Sequence, residues 1–175
     1  MRLKQVVVIA ATIGMVGATA GSARGATTLI RTAAAGACTA SSLANPHSGG
    51  FIIGPGNTTY SATFQCGINQ VMAPLDEIGA AVVYLKASAQ TQYPTQVRIC
   101  FRSMTTGASV CGNPGYSNPS LTGTQPVTAY PPAGNFDDDE HLAYITLTLY
   151  RSSYSYNYFY GFYVRTPFVV IPPPF

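Results

Sequence analysis

Four of the chain's six carboxylates fall within one heptapeptide, Asn135-Phe136-Asp137-Asp138-Asp139-Glu140-His141. Oxygens at that density suit a hard cation such as calcium, which takes roughly six to eight oxygen ligands. Asp137, Asp139 and Glu140 are the candidate ligands. The spacing lacks the glycine and terminal glutamate of an EF-hand loop, and contiguous residues of an extended chain point to opposite sides, so a solvated turn is the competing reading. Carboxylates also serve hydrolysis. A glycosidase needs two of them a few ångströms apart, which would pair Asp76 or Glu77 with the acidic turn at 137–141, although nothing in their spacing brings the two segments together. A nucleophilic triad needs a base, and the two histidines are His47, beside Pro46 in a Gly/Ser loop, and His141, at the acidic turn. No GxGxxG, Walker loop or H-E-x-x-H occurs. No residue is assigned a catalytic role and no cofactor is expected, calcium being the one cation the turn could hold.

Tyrosine is the second concentration: Tyr144, Tyr150, Tyr154, Tyr156, Tyr158, Tyr160 and Tyr163 lie close together near the C-terminus. A flat amphipathic ring contributes contact area at small entropic cost, which suits a carbohydrate or protein surface. Tyrosine is also simply a good strand former on a half-wet sheet. Tyr144, Tyr150, Tyr154, Tyr156 and Tyr163 are the candidate ligand-binding residues.

Four cysteines, Cys38, Cys66, Cys100 and Cys111, form an even set without a C-x-x-C pair, and with two histidines zinc is the weaker reading. Sequence order favours the disulfides Cys38–Cys66 and Cys100–Cys111. An oxidising compartment fits the first twenty residues, which follow a secretory plan: Arg2 and Lys4, then an apolar run from Val6 to Val16 broken by Thr12 and Gly14, then Ala18-Thr19-Ala20. Cleavage is expected after Ala20, with Ala23 or Ala26 as alternatives. The run is shorter than the roughly 18 to 20 apolar residues of a membrane anchor. Losing Arg2 and Lys4 leaves seven basic against six acidic residues, too little for a backbone reader of nucleic acid. A secreted or periplasmic product with no transmembrane anchor is expected. Asn57-Thr58-Thr59 meets the glycosylation sequon.

These groups must be positioned by strands, since no long stretch after Ala26 keeps helical apolar spacing free of Gly or Pro. Period two puts Tyr60, Ala62, Phe64 and Cys66 on one face. Residues 80–87 and 96–103 read as one hairpin, with Val97, Ile99 and Phe101 inward and Cys100 outward, so that its bridge pins a surface loop. Residues 142–150 and 158–165 read as a second hairpin. Its inward sets are Ala143, Ile145, Leu147 and Leu149, and then Tyr158, Tyr160, Phe162 and Val164. Between Gly112 and Gly134 only residues 127–130 read as strand.

Short strands with turn signals between them predict an all-β, antiparallel β-sandwich of jelly-roll or immunoglobulin-like kind. The expected division is a leader helix at 1–20, an N-terminal segment at 21–34, the sandwich at 35–168 and a Pro-rich tail at 169–175. Ala37-Cys38, Phe64-Gln65-Cys66, Arg98-Ile99-Cys100 and the hairpin bearing Tyr158, Phe159, Tyr160, Gly161 and Tyr163 resemble a loose group of secreted bacterial β-sandwich proteins with two disulfides. Cys111 departs from that pattern, in which the fourth cysteine lies in the late Tyr-rich strand. The resemblance implies export and a sandwich, and no activity. The leading expectation is a non-catalytic module that binds a glycan or an envelope protein. A small hydrolase working through the acidic turn and a structural envelope protein are the alternatives.

Overall fold

A computed structural model describes residues 27–41, 43–57, 59–70, 73–87, 93–153 and 156–167. The leader at 1–20, the tail at 169–175 and Tyr154 lie outside them.

Among the described residues, twelve strands form two antiparallel sheets packed face to face. The first sheet contains β1 (Thr27–Ala33), β3 (Ala44–His47), β4 (Gly50–Ile53), β6 (Ala80–Ala87), β10 (Gly123–Ala129) and β12 (Asn157–Pro167). Its order is β10-β6-β12-β4-β3, and β1 continues the ladder along β12 beyond β4. The second contains β2 (Cys38–Ala40), β5 (Ser61–Gly67), β7 (Gln96–Ser103), β8 (Ser109–Cys111), β9 (Gly115–Tyr116) and β11 (His141–Tyr150), in the order β2-β5-β11-β7-β8 with β9 also on β7. A single helical turn, α1 (Ala34–Ala37), carries the chain from β1 in one sheet to β2 in the other. Among the described residues the first sheet thus includes Thr27–Ala33, which sequence pattern sets ahead of the sandwich. Among the described residues no helix is long and apolar enough to cross a membrane.

Alternation places the core. Ala62, Phe64 and Cys66 from β5, Val97, Ile99 and Phe101 from β7, and Ala143, Ile145, Leu147 and Leu149 from β11 meet Ala81, Val83, Leu85, Phe159, Phe162 and Val164 of the first sheet. Phe64 stands between Phe51 and Phe159 with ring centroids 5.2 and 5.3 Å away. Tyr60, assigned to the inward face of β5, precedes the strand and is exposed.

Neither expected hairpin forms. β6 pairs with β12 and β10, whereas β7 pairs with β11 in the opposite sheet. Likewise β11 and β12 belong to different sheets. Inward apolar sets look identical from either side of a sandwich, so periodicity fixes which side chains turn in without saying which sheet carries them. From β5 to β7, and again from β10 to β12, successive strands alternate between the sheets apart from the short edge pieces β8 and β9, a jelly-roll habit. Consecutive strands do pair in β7–β8 and in β3–β4, the latter closed by Ser48 (φ 45°) and Gly49 (φ 80°), the two positive φ values that a tight type I′ turn demands.

Both disulfides join directly opposed residues of paired strands: Cys38 with Cys66 across β2–β5, and Cys100 with Cys111 across β7–β8. Cys66 lies in the core. Cys100 turns away from it yet is fully covered, and its partner belongs to a strand rather than a loop, so this bridge fastens an edge of the sheet.

Candidate functional site

One residue decides what β12 shows to solvent. Opposite β6, Phe159 faces Leu85 and Gly161 faces Tyr84, leaving Tyr160 as an extra residue in a β-bulge. The bulge resets the alternation: Phe159 turns into the core before it, and Phe162 and Val164 after it. Tyr158 and Tyr160, expected inward, therefore stand on the outer face with nearly parallel rings, 5.9 Å between centroids and 4° between planes. An interior strand glycine was the available signal for this bulge.

The outer face of the first sheet becomes a field of rings. Tyr84 of β6 lies 5.7 Å from Tyr163 of β12, and His47 lies 5.7 Å from Tyr158. Lys86 places its Nζ over the Tyr158 ring, 5.8 Å from the centroid. Arg165 donates to the Tyr163 hydroxyl at 2.9 Å, and Arg31 of β1 is the direct cross-strand neighbour of Tyr163. Between them opens a groove of about 520 Å³ lined by Arg31, Tyr84, Thr124, Tyr160, Tyr163 and the backbone turn at Gly161. Tyr84 and Tyr160 remain 40% and 37% exposed, so their faces are available to a partner. The groove offers flat apolar surfaces beside hydroxyls and a guanidinium, the mix with which a small polar molecule is oriented.

Of the tyrosines singled out from sequence, the four among the described residues are not brought together. Tyr163 belongs to this groove. Tyr144 and Tyr150 lie half-buried on the outer face of the opposite sheet, Tyr144 donating to Ser109 Oγ at 3.0 Å and Tyr150 lying 5.1 Å from Tyr93. Tyr156 is exposed at the end of the connection before β12. Sequence pattern missed Tyr84 because it is alone in an apolar strand, and misplaced Tyr158 and Tyr160 because the bulge inverts parity.

The acidic turn is organised by its own backbone. Asp137 Oδ1 accepts from the Asp139 amide at 2.9 Å, and its carbonyl accepts from Glu140 and His141. Asp138 Oδ1 accepts from the Leu75 amide at 2.9 Å, capping the short 3-10 turn Leu75–Glu77. That bond draws Asp76 and the turn to one open hollow of about 470 Å³, which Asp76 lines with Asn135, Phe136, Asp137, Asp138 and Asp139. All four of these carboxylates are solvent-exposed. Among the described residues, no three His, Cys, Asp or Glu side chains stand close enough to hold a metal ion. Asn57 Oδ1 accepts from the amide and hydroxyl of Thr59, and both residues are exposed.

No family model and no curated protein matches the chain in sequence. Among solved structures, it is similar to a family two carbohydrate esterase from Cellvibrio japonicus, at 7% identity and a TM-score of 0.45, over 85% of this chain but only 38% of that one. It is also similar to CsCBM6-3 from Clostridium stercorarium, solved with cellobiose, at 16% identity and 0.44 over 80% of this chain and 93% of that one. A third is a family 11 carbohydrate-binding module from Clostridium thermocellum, solved with a mixed-linked tetrasaccharide, at 12% identity and 0.40 over 83% and 91%.

Proposed function

We propose that this chain is an exported, non-catalytic glycan-binding module whose site is the outer face of the first sheet. The observation that carries the reading is the open groove in which Tyr84, Tyr160 and Tyr163 present their rings beside Arg31 and Thr124. A sugar ring has an apolar C–H face and a polar rim. The tyrosine faces receive the first, while the hydroxyls, the threonine and the guanidinium address the second. Export is supported by the paired cysteines, which need an oxidising compartment, and by the leader pattern of the first twenty residues.

The test is a glycan-array screen of the oxidised protein, followed by titration of whatever binds. Tyr84→Ala and Tyr160→Ala are each expected to weaken binding by about tenfold or more, as truncation of a central aromatic anchor does. Loss on Tyr144→Ala or Tyr150→Ala instead would move the site to the opposite sheet. An array without specific binding would sink the module reading.

A further inference from the structure

The net charge of the chain conceals a segregation. None of the six strands of the first sheet contains an aspartate or glutamate, while Arg31, Lys86 and Arg165 belong to three of them. The six carboxylates of the whole chain are confined to Asp76, Glu77 and residues 137–140, on connections outside both sheets. All three cations are solvent-exposed on the tyrosine-bearing face. Lys86 sits at the Tyr158 end. Arg165 sits at the other end, beside Tyr163, and Arg31 faces Tyr163 across the β1–β12 ladder. Tyr158 and Arg165 are seven positions apart in one strand, roughly 20 Å at strand rise, so cations bracket a platform long enough for several sugar units.

We infer that the ligand of this face is an acidic glycan, a polysaccharide bearing carboxylates or sulfates, held by Arg31, Arg165 and Lys86 while Tyr84, Tyr160 and Tyr163 stack on its rings. The inference rests on the glycan-binding reading above and names the class of its ligand. A guanidinium offers parallel N–H donors that match a carboxylate or sulfate two oxygens at a time. With no like-charged oxyanion among the surrounding strand residues, an approaching polyanion meets attraction along the whole face. A neutral glycan would leave the three cations without an anionic partner.

The experiment titrates the oxidised protein with polygalacturonate, its methyl-esterified form, a sulfated galactan and inorganic polyphosphate. Polygalacturonate or the sulfated galactan is expected to bind, and which of the two binds tells carboxylate from sulfate recognition. Methyl esterification is expected to abolish uronate binding. Arg31→Gln and Arg165→Gln should each weaken binding by about tenfold, the usual scale for one charge-assisted hydrogen bond. Arg102→Gln on the opposite sheet should leave it unchanged, and thermal unfolding of all three variants should match that of the parent. Equal affinity for the esterified polymer, undiminished in the arginine variants, overturns the acidic preference and leaves the tyrosine groove intact as a glycan site. Polyphosphate binding of equal strength that survives Tyr84→Ala overturns both readings, since charge alone would then account for it. Binding to neither acidic polymer overturns the inference.

Discussion

Gly161 is the residue on which the tyrosine face depends most directly. A Cβ there would run into the Thr32 carbonyl oxygen, in the backbone of the neighbouring strand. Backbone cannot step aside as a flexible side chain can, so Gly161→Ala is expected to cost about 1–3 kcal/mol in urea unfolding. Gly67, in β5, has open space where its Cβ would be. Gly67→Ala should therefore be neutral or stabilising by up to roughly 1 kcal/mol in the same measurement. A Gly161 variant as stable as the parent would mean that β1 does not hold this position against β12. Asp138 makes a complementary point about the acidic turn. Its carboxylate accepts from Leu75 and Gln70, and Asp137 serves its own loop. One oxygen of each is tied into the loop, and no three ligand side chains cluster among the described residues, so thermal unfolding is expected to be indifferent to added calcium. A rise in melting temperature that disappears in the Asp137→Asn/Asp139→Asn double variant would show that the turn binds the ion after all.

Among the elements, the inward face of β11 was legible: Ala143, Ile145, Leu147 and Leu149 alternate with Tyr144, Thr146, Thr148 and Tyr150, and the buried set is the apolar one. β12 was not, because period-two reasoning assumes an unbroken ladder and the extra residue at Tyr160 breaks it. The pairing of β6 with β12, and of β7 with β11, was likewise invisible, because a strand's own residues encode its inward face and not its neighbour. The candidate site suffered for both reasons: it is assembled from β6, β12, β10 and β1, four segments far apart in sequence. The cysteines were legible because sequence order and strand pairing agree. Each bridge fastens a three-residue edge strand, β2 on one side of the second sheet and β8 on the other. The bridges close loops of different span, 28 and 11 residues. Chain entropy then predicts losses of roughly 3.5 kcal/mol for Cys38→Ala/Cys66→Ala and roughly 3 kcal/mol for Cys100→Ala/Cys111→Ala. Urea midpoints of the two double variants check the order, and a larger loss from the shorter loop would contradict the entropic account.

For the molecule as a whole, both bridges lie within the second sheet, so the two sheets are held to one another by the apolar core rather than by covalent bonds. Phe64, which touches Phe51 and Phe159 across the sandwich, is the natural probe: Phe64→Ala is expected to cost about 3–5 kcal/mol. Fluorescence and circular dichroism transitions should still coincide, because neither sheet can bury its apolar face alone. Two edge strands of the first sheet are guarded differently, β10 by Pro126 and β3 by Pro46, which deny a neighbouring chain a complete ladder there. The antiparallel register of β1 on β12 sets Thr27 opposite Pro167. Two tethers attached at those residues would leave from one end of the sandwich, and tension between them would open the β1–β12 ladder one pair at a time, as a zipper opens, instead of shearing all its bonds together. Under load the chain would shed its first strand early, and with it Arg31, so the groove proposed to bind glycan would come apart well before the core gave way.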